Sequence, residues 1–125
     1  MLINIYTAWI AFLMGCIAGA VSGMFFHKKE WMGGYDSWRR RLTRLAHISF
    51  FGIGCLNLAF ALTSKQLGLE SGIIIPSVLL IIGVATMPLV CYLSAWKPIF
   101  RHIFFIPAGS VILAIIFFLW RIVSI

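Results

Sequence analysis

Four apolar stretches, separated by short connections, constrain this chain more than any other feature of its sequence. We place them at approximately residues 4–26, 45–63, 72–95 and 102–123. About 20 consecutive apolar residues are what a helix needs to cross the hydrocarbon core of a bilayer. The chain has 125 residues, 62% of them hydrophobic and 10% charged, which is far more apolar than a soluble domain requires. The sequence therefore predicts an all-α integral membrane protein, a single four-helix transmembrane bundle over residues 1–125.

Basic residues are spread unevenly over the connections. Ten Lys and Arg stand against three Asp and Glu. Eight of the ten lie in the connections after the first and third stretches: Lys28, Lys29, Arg39, Arg40, Arg41, Arg44, Lys97 and Arg101. Under the positive-inside rule these connections are predicted to be cytoplasmic, which gives an N-out/C-out topology in a bacterial inner or internal membrane. Because the charges flank apolar spans, we assign them to orientation and to anionic lipid, not to nucleic acid.

Glycines recur at a four-residue spacing in the first span. Gly15, Gly19 and Gly23 follow Ala11 at the same interval, so all four lie on one side of a helix. Such a groove of small residues lets a second helix approach closely in lipid. We expect an interface here, formed either with another helix of this chain or with another subunit.

A short segment of the second span returns in degraded form in the fourth. His47–Gly54 and His102–Gly109 are identical at four of eight positions. Two readings stay open: an internal duplication, with two hairpins related as parallel repeats, or chance similarity in a chain rich in Ile and Phe. Seven residues make about two helical turns, so the glycine of each segment is expected on the face of its histidine.

Three histidines are predicted at the cytoplasmic boundary. Spans two and four run in the same direction, so His47 and His102 are expected to face one another as axial ligands of a haem b iron. Gly54 and Gly109 would leave room for the porphyrin, and His27 is a substitute ligand. A copper or other metal site is one alternative, and imidazoles that bind nothing at a wetted interface are another. Without haem, no cofactor is expected.

Other polar residues are predicted to shape the bundle. Asn57 lies near the middle of the membrane and must find a partner, either a neighbouring helix or a substrate. Pro88 is expected to kink the third helix and free a carbonyl. Asp36 or Ser37 is expected to cap a helix that begins with Trp38.

The cluster Arg39, Arg40, Arg41 and Arg44 has several candidate roles. Guanidinium groups suit lipid phosphates, a haem propionate or an acidic subunit. The simplest alternative is a solvated rim that only sets the orientation of the protein.

The sequence offers little support for autonomous catalysis. Its only carboxylates, Glu30, Asp36 and Glu70, fall in connections, so no acid pair is predicted inside the membrane. We expect a small accessory or structural subunit of a larger membrane complex, respiratory or photosynthetic, whose partners are membrane lipids and other membrane subunits. The alternatives are a b-type cytochrome subunit with a bis-histidine haem near the cytoplasmic face, and a small oligomeric transporter or channel-like protein.

Overall fold

Helices make up nearly all of the structure, a computed structural model that describes residues 1–125. The four long helices are α1 (Leu2–Phe25), α2 (Trp38–Gln66), α3 (Ile74–Trp96) and α4 (Phe105–Val123), with short 3₁₀ helices at Trp31–Gly33 and Pro98–Ile103. There are no strands, and all four helical segments are long and apolar enough to cross a membrane. The predicted all-α, four-helix architecture is therefore confirmed, and it suggests a multi-pass membrane protein.

Helix α2 begins where the capping signal predicts, well before the apolar stretch does. Ser37 adopts an extended conformation, and its hydroxyl accepts a hydrogen bond from the Arg40 amide at 3.2 Å. That bond satisfies one of the unpaired amides of the first turn, so Ser37, not Asp36, is the cap. The polar first turns of α2 consequently extend the helix beyond its apolar part.

Helix α4 begins later than predicted, at Phe105 instead of His102. Pro98 starts a 3₁₀ helix that runs to Ile103, and α4 follows from it directly. Pro107 then falls in the first turn of α4, where its missing amide hydrogen would have no partner anyway.

The helices pack in chain order, each against the next, with α2 and α3 at the centre. Eleven residues of α2 and ten of α3 are buried, against five of α1 and three of α4, so the core lies between the two central helices. α1 touches α3 only lightly. Short connections place successive helices antiparallel, so both basic connections lie at one end of the bundle.

Close contacts between helices are made at small residues. A Cβ atom added at Gly15 would lie 2.7 Å from the Phe51 ring, and one at Gly83 would lie 2.5 Å from Val111. Both glycines therefore let a neighbouring side chain approach the helix backbone. The α3–α4 contact at Gly83 was not predicted, because an isolated glycine gives no repeating pattern.

The outer faces of α1 and α4 are apolar and uncovered. Trp9 and Leu13 on α1, and Leu113 and Trp120 on α4, are each exposed. A soluble monomer rarely leaves such contiguous apolar surface bare. These faces have the chemistry that lipid chains or apolar helices of other membrane proteins would cover.

Candidate functional site at the basic end

The start of α2 lies beside the end of α3. Trp38 donates its indole N–H to the Ser94 carbonyl at 3.3 Å, and Arg39 donates Nε to the Ala95 carbonyl at 2.9 Å. The last carbonyls of a helix lack intrahelical partners and carry the negative end of its dipole, so a cation stabilises them. These bonds bring the two basic connections to the same end, and we call this part of the molecule the basic end.

Arg40 is fully buried and holds the first connection against α2. Its Nε donates to the Trp31 carbonyl at 2.6 Å, and its Nη2 donates to the carbonyl of Lys28. Its guanidinium carbon lies 4.6 Å from the ring centre of Tyr35, 5.4 Å from that of Trp31 and 5.6 Å from that of Phe26. Cation–π attraction and charge-assisted hydrogen bonds thus replace part of the water that the buried cation loses, and Nη1 is left without a hydrogen-bond partner.

The remaining arginines of the cluster also bond main-chain oxygens. Arg41 donates two hydrogen bonds to the Asp36 carbonyl, at 3.1 and 2.9 Å, and Arg44 donates Nη2 to the Tyr35 carbonyl at 3.2 Å. Each of the four arginines thus bonds a main-chain oxygen of the same chain, while Arg39, Arg41 and Arg44 stay exposed.

A cleft of about 310 Å³ opens between α1 and α2 at the basic end. Its lining combines a cation, an imidazole and hydroxyl groups with apolar wall: Gly19, Ser22, Phe26, Thr43, Arg44, His47 and Ile48. It is the place where the chemistry singled out in the sequence, a histidine and an arginine, comes together.

Gly19 determines where the His47 ring lies. A Cβ atom at Gly19 would be 2.5 Å from His47 Nε2, so the imidazole occupies the space that the glycine leaves. The ring also meets Phe51 edge to face, with centroids 5.4 Å apart. Together with the Gly15 contact, this places α2 of the same chain against the groove, while Gly23 faces open space.

The other two histidines lie apart from His47. His27 is exposed just after α1, and His102 is exposed in the 3₁₀ helix between α3 and α4, whereas His47 is turned toward α1. No group of three or more His, Cys, Asp or Glu side chains is placed to hold a metal ion. His47 thus packs against α1, and a haem held by His47 and His102 stays a prediction.

The two similar segments also differ in conformation. The first is helical throughout, and its Gly54 lies against Phe12 and Ala11 of α1. The second begins in the 3₁₀ helix, and its Gly109 has nothing within 4 Å of an added Cβ. The continuous α-helix on which the shared-face expectation depends is therefore present in the first segment and interrupted in the second.

A second polar cluster joins three helices in the other half of the bundle. Asn4 of α1 donates Nδ2 to Asn57 Oδ1 at 2.8 Å and to the Ser77 carbonyl at 3.3 Å, and Ser77 donates its hydroxyl to Asn4 Oδ1. Asn57 in turn donates to the carbonyls of Leu80 at 3.2 Å and Ile53 at 3.0 Å. The predicted interhelical bond of Asn57 is confirmed. Asn4 was missed, although an amide in an apolar span was the available signal.

Comparisons with known protein families, with curated proteins and with solved structures find no match to this chain.

Proposed function

We propose that this protein is a structural subunit of a larger membrane complex, inserted through all four helices with the basic end in the cytoplasm. The observation that carries the proposal is that polar groups in the bundle and at the basic end bond to other groups of the same chain. Asn4, Asn57 and Ser77 bond one another between helices, and Arg39 and Arg40 bond carbonyls of the same chain. Groups engaged in this way hold helices together and are not free to act on a substrate.

The outer face of α4 is the surface we assign to a partner subunit. Only Pro107, Ser110 and Ala114 of this helix are buried, all on the side that meets the bundle. The opposite side presents Leu113, Phe117 and other large apolar side chains. Apolar helices associate in lipid through close packing, and lipid covers whatever a partner does not. A respiratory or photosynthetic host complex stays a prediction, as do the cytochrome and transporter alternatives, since no contact favours them.

Crosslinking from the exposed face of α4 tests whether a partner subunit lies against it. Leu113 is 47% exposed and its neighbour Ala114 is 1% exposed, so the first position faces outward and the second, about 100° further around the helix, faces the bundle. In a background with Cys16→Ala and Cys55→Ala, Leu113→Cys is treated with a bifunctional thiol reagent in native membranes. We expect an adduct with a second protein, and none from the matched Ala114→Cys control. Migration of the tagged chain alone on native gels, with no adduct, would contradict the proposal.

Thiol labelling tests the orientation. Lys29 lies in the first connection and Glu70 in the connection at the opposite end, and both are exposed. A membrane-impermeant maleimide added to intact cells is expected to label Glu70→Cys and to label Lys29→Cys only after lysis. The reverse pattern would place the basic end outside. Labelling of neither position before lysis would argue against membrane insertion in the proposed orientation.

A further inference from the structure

We propose that the cleft between α1 and α2 binds the phosphate of an anionic phospholipid headgroup. The inference rests on the membrane insertion proposed above, and it concerns a site that the structural role does not require. It starts from the hydrogen-bonding state of the polar groups that line the cleft.

Two polar side chains in the cleft make no hydrogen bond within the chain. Ser22 and His47 both line the cleft, and the hydroxyl of the one and the imidazole of the other have no partner in the protein. Ser22 is buried and His47 is half-buried. Neither side chain is among those with a polar atom sealed inside the protein without a partner, which are Arg40, Ser64 and Ser94, so both stay open to a ligand in the cleft that supplies acceptors.

Arg44 supplies the charge. It is exposed, and its bond to the Tyr35 carbonyl uses one Nη2 hydrogen, which leaves the second Nη2 hydrogen free to act together with a neighbouring N–H of the guanidinium. Arginine recognises phosphate through two parallel charge-assisted hydrogen bonds. Arg39 and Arg40 do not line the cleft, because Arg39 bonds a carbonyl of α3 and Arg40 bonds the first connection.

The position and shape of the cleft favour a lipid over a soluble anion. Phe26 and Ile48 form apolar wall beside the polar groups. The cleft lies where the apolar part of α1 ends and the basic connection begins, which is headgroup depth in the proposed topology. A volume of about 310 Å³ suits a headgroup and the first part of its chains, at the small end of ligand sites. The eight cations at this end attract anionic lipid to it.

Native mass spectrometry of the full chain released from nanodiscs tests the proposal. The discs contain phosphatidylcholine with a minor fraction of phosphatidylglycerol. We expect one phosphatidylglycerol retained per chain, with apparent affinity lowered about tenfold or more by Arg44→Gln, since one bidentate charge-assisted contact is lost. Lys97→Gln removes the same charge from the same end, outside the cleft, and is expected to change retention less than about twofold.

A second variant separates the site from a change in fold. Ser22→Ala removes a hydroxyl without changing the charge or adding bulk to the cleft, and it is expected to weaken retention while the gel-filtration profile and protease resistance stay those of the wild type. An equal loss of lipid retention in Arg44→Gln and Lys97→Gln would overturn the proposed site and indicate a general attraction of anionic lipid to the basic end.

Controls with other phosphates identify the source of the ligand. Displacement of the lipid by millimolar inorganic phosphate would overturn the lipid assignment in favour of a soluble phosphate. A chain that enters nanodiscs and retains no phosphatidylglycerol refutes only this inference, whereas failure to enter them refutes the proposed function as well.

Discussion

At the scale of single residues, three consecutive arginines have three different environments. Successive helical residues are about 100° apart around the axis, so Arg39 turns to α3, Arg40 to the first connection and Arg41 toward solvent. The sequence identified the cluster and its charge. It gave no sign that Arg40 is the buried member, because that depends on where the connection folds back.

Replacing Arg40 by lysine is expected to loosen the first connection. Lysine keeps the charge but lacks the planar fork that bonds two carbonyls and stacks among three rings. Loss of charge-assisted hydrogen bonds at a buried site costs about 1.5–3 kcal/mol. Chymotrypsin cleavage after Trp31 and Tyr35 in detergent measures the effect. Arg41→Lys, at an exposed position, is the control, and equal cleavage of the two variants would contradict the role of Arg40.

The bond between Asn4 and Asn57 is expected to stabilise the fold measurably. A double-mutant cycle with Asn4→Ala and Asn57→Ala isolates their coupling in denaturant unfolding in micelles. Interhelical polar bonds in membrane proteins average about 0.6 kcal/mol and reach about 1.7 kcal/mol. Thr86→Val serves as the control, since its hydroxyl bonds only the Ile82 carbonyl of its own helix. Additive effects of the two asparagine variants would show that the bond contributes nothing.

At the scale of helices, the glycine spacing in α1 predicted an interface and left its partner open. The structure places α2 against Gly15 and Gly19, through the rings of Phe51 and His47. A four-residue repeat fixes which residues share a face. It does not fix how long the contact is, so Gly23 belongs to the pattern and lies outside the contact.

Alanine substitutions at different glycines of this face are expected to change the free energy of unfolding in opposite directions. Gly15→Ala places a methyl group 2.7 Å from the Phe51 ring and should destabilise by about 1–3 kcal/mol, because overpacking forces the helices apart. Gly23→Ala meets nothing within 4 Å and should be neutral or stabilising by up to about 1 kcal/mol through better helix propensity. Unfolding in micelles measures both, and equal effects would contradict the close approach of α1 to α2.

At the scale of the whole molecule, α4 is the least firmly held helix. Its contacts include Val111 against Gly83, the Phe118 ring 4.7 Å from that of Phe60, and a bond from Arg121 Nε to the Ser71 carbonyl at 2.9 Å. It buries only three residues, so local opening should begin there.

Hydrogen exchange in detergent is expected to rank the helices. Amides of α2 and α3 should exchange most slowly, because those helices bury the most residues. Phe118→Ala should accelerate exchange in α4 while leaving the centre of α2 unchanged. Phe117→Ala, which removes an exposed ring from the same helix, should have little effect. Uniform acceleration by Phe118→Ala would mean that α4 is a cooperative part of the core.

The sequence by itself determined the number of helices, the all-helical class, the start of α2 at Trp38 and the separation of charge between the two ends. These depend on apolar length, local hydrogen bonding and chain order, which are properties of short segments. Only the tertiary structure decided that His47 lies against Gly19 and that Arg40 is buried. The same holds for Asn4, which meets Asn57 across 53 positions of sequence. Such pairings depend on the rotation and axial register of packed helices. Both are set by the fit of side chains from distant segments of the chain, which no local sequence pattern encodes.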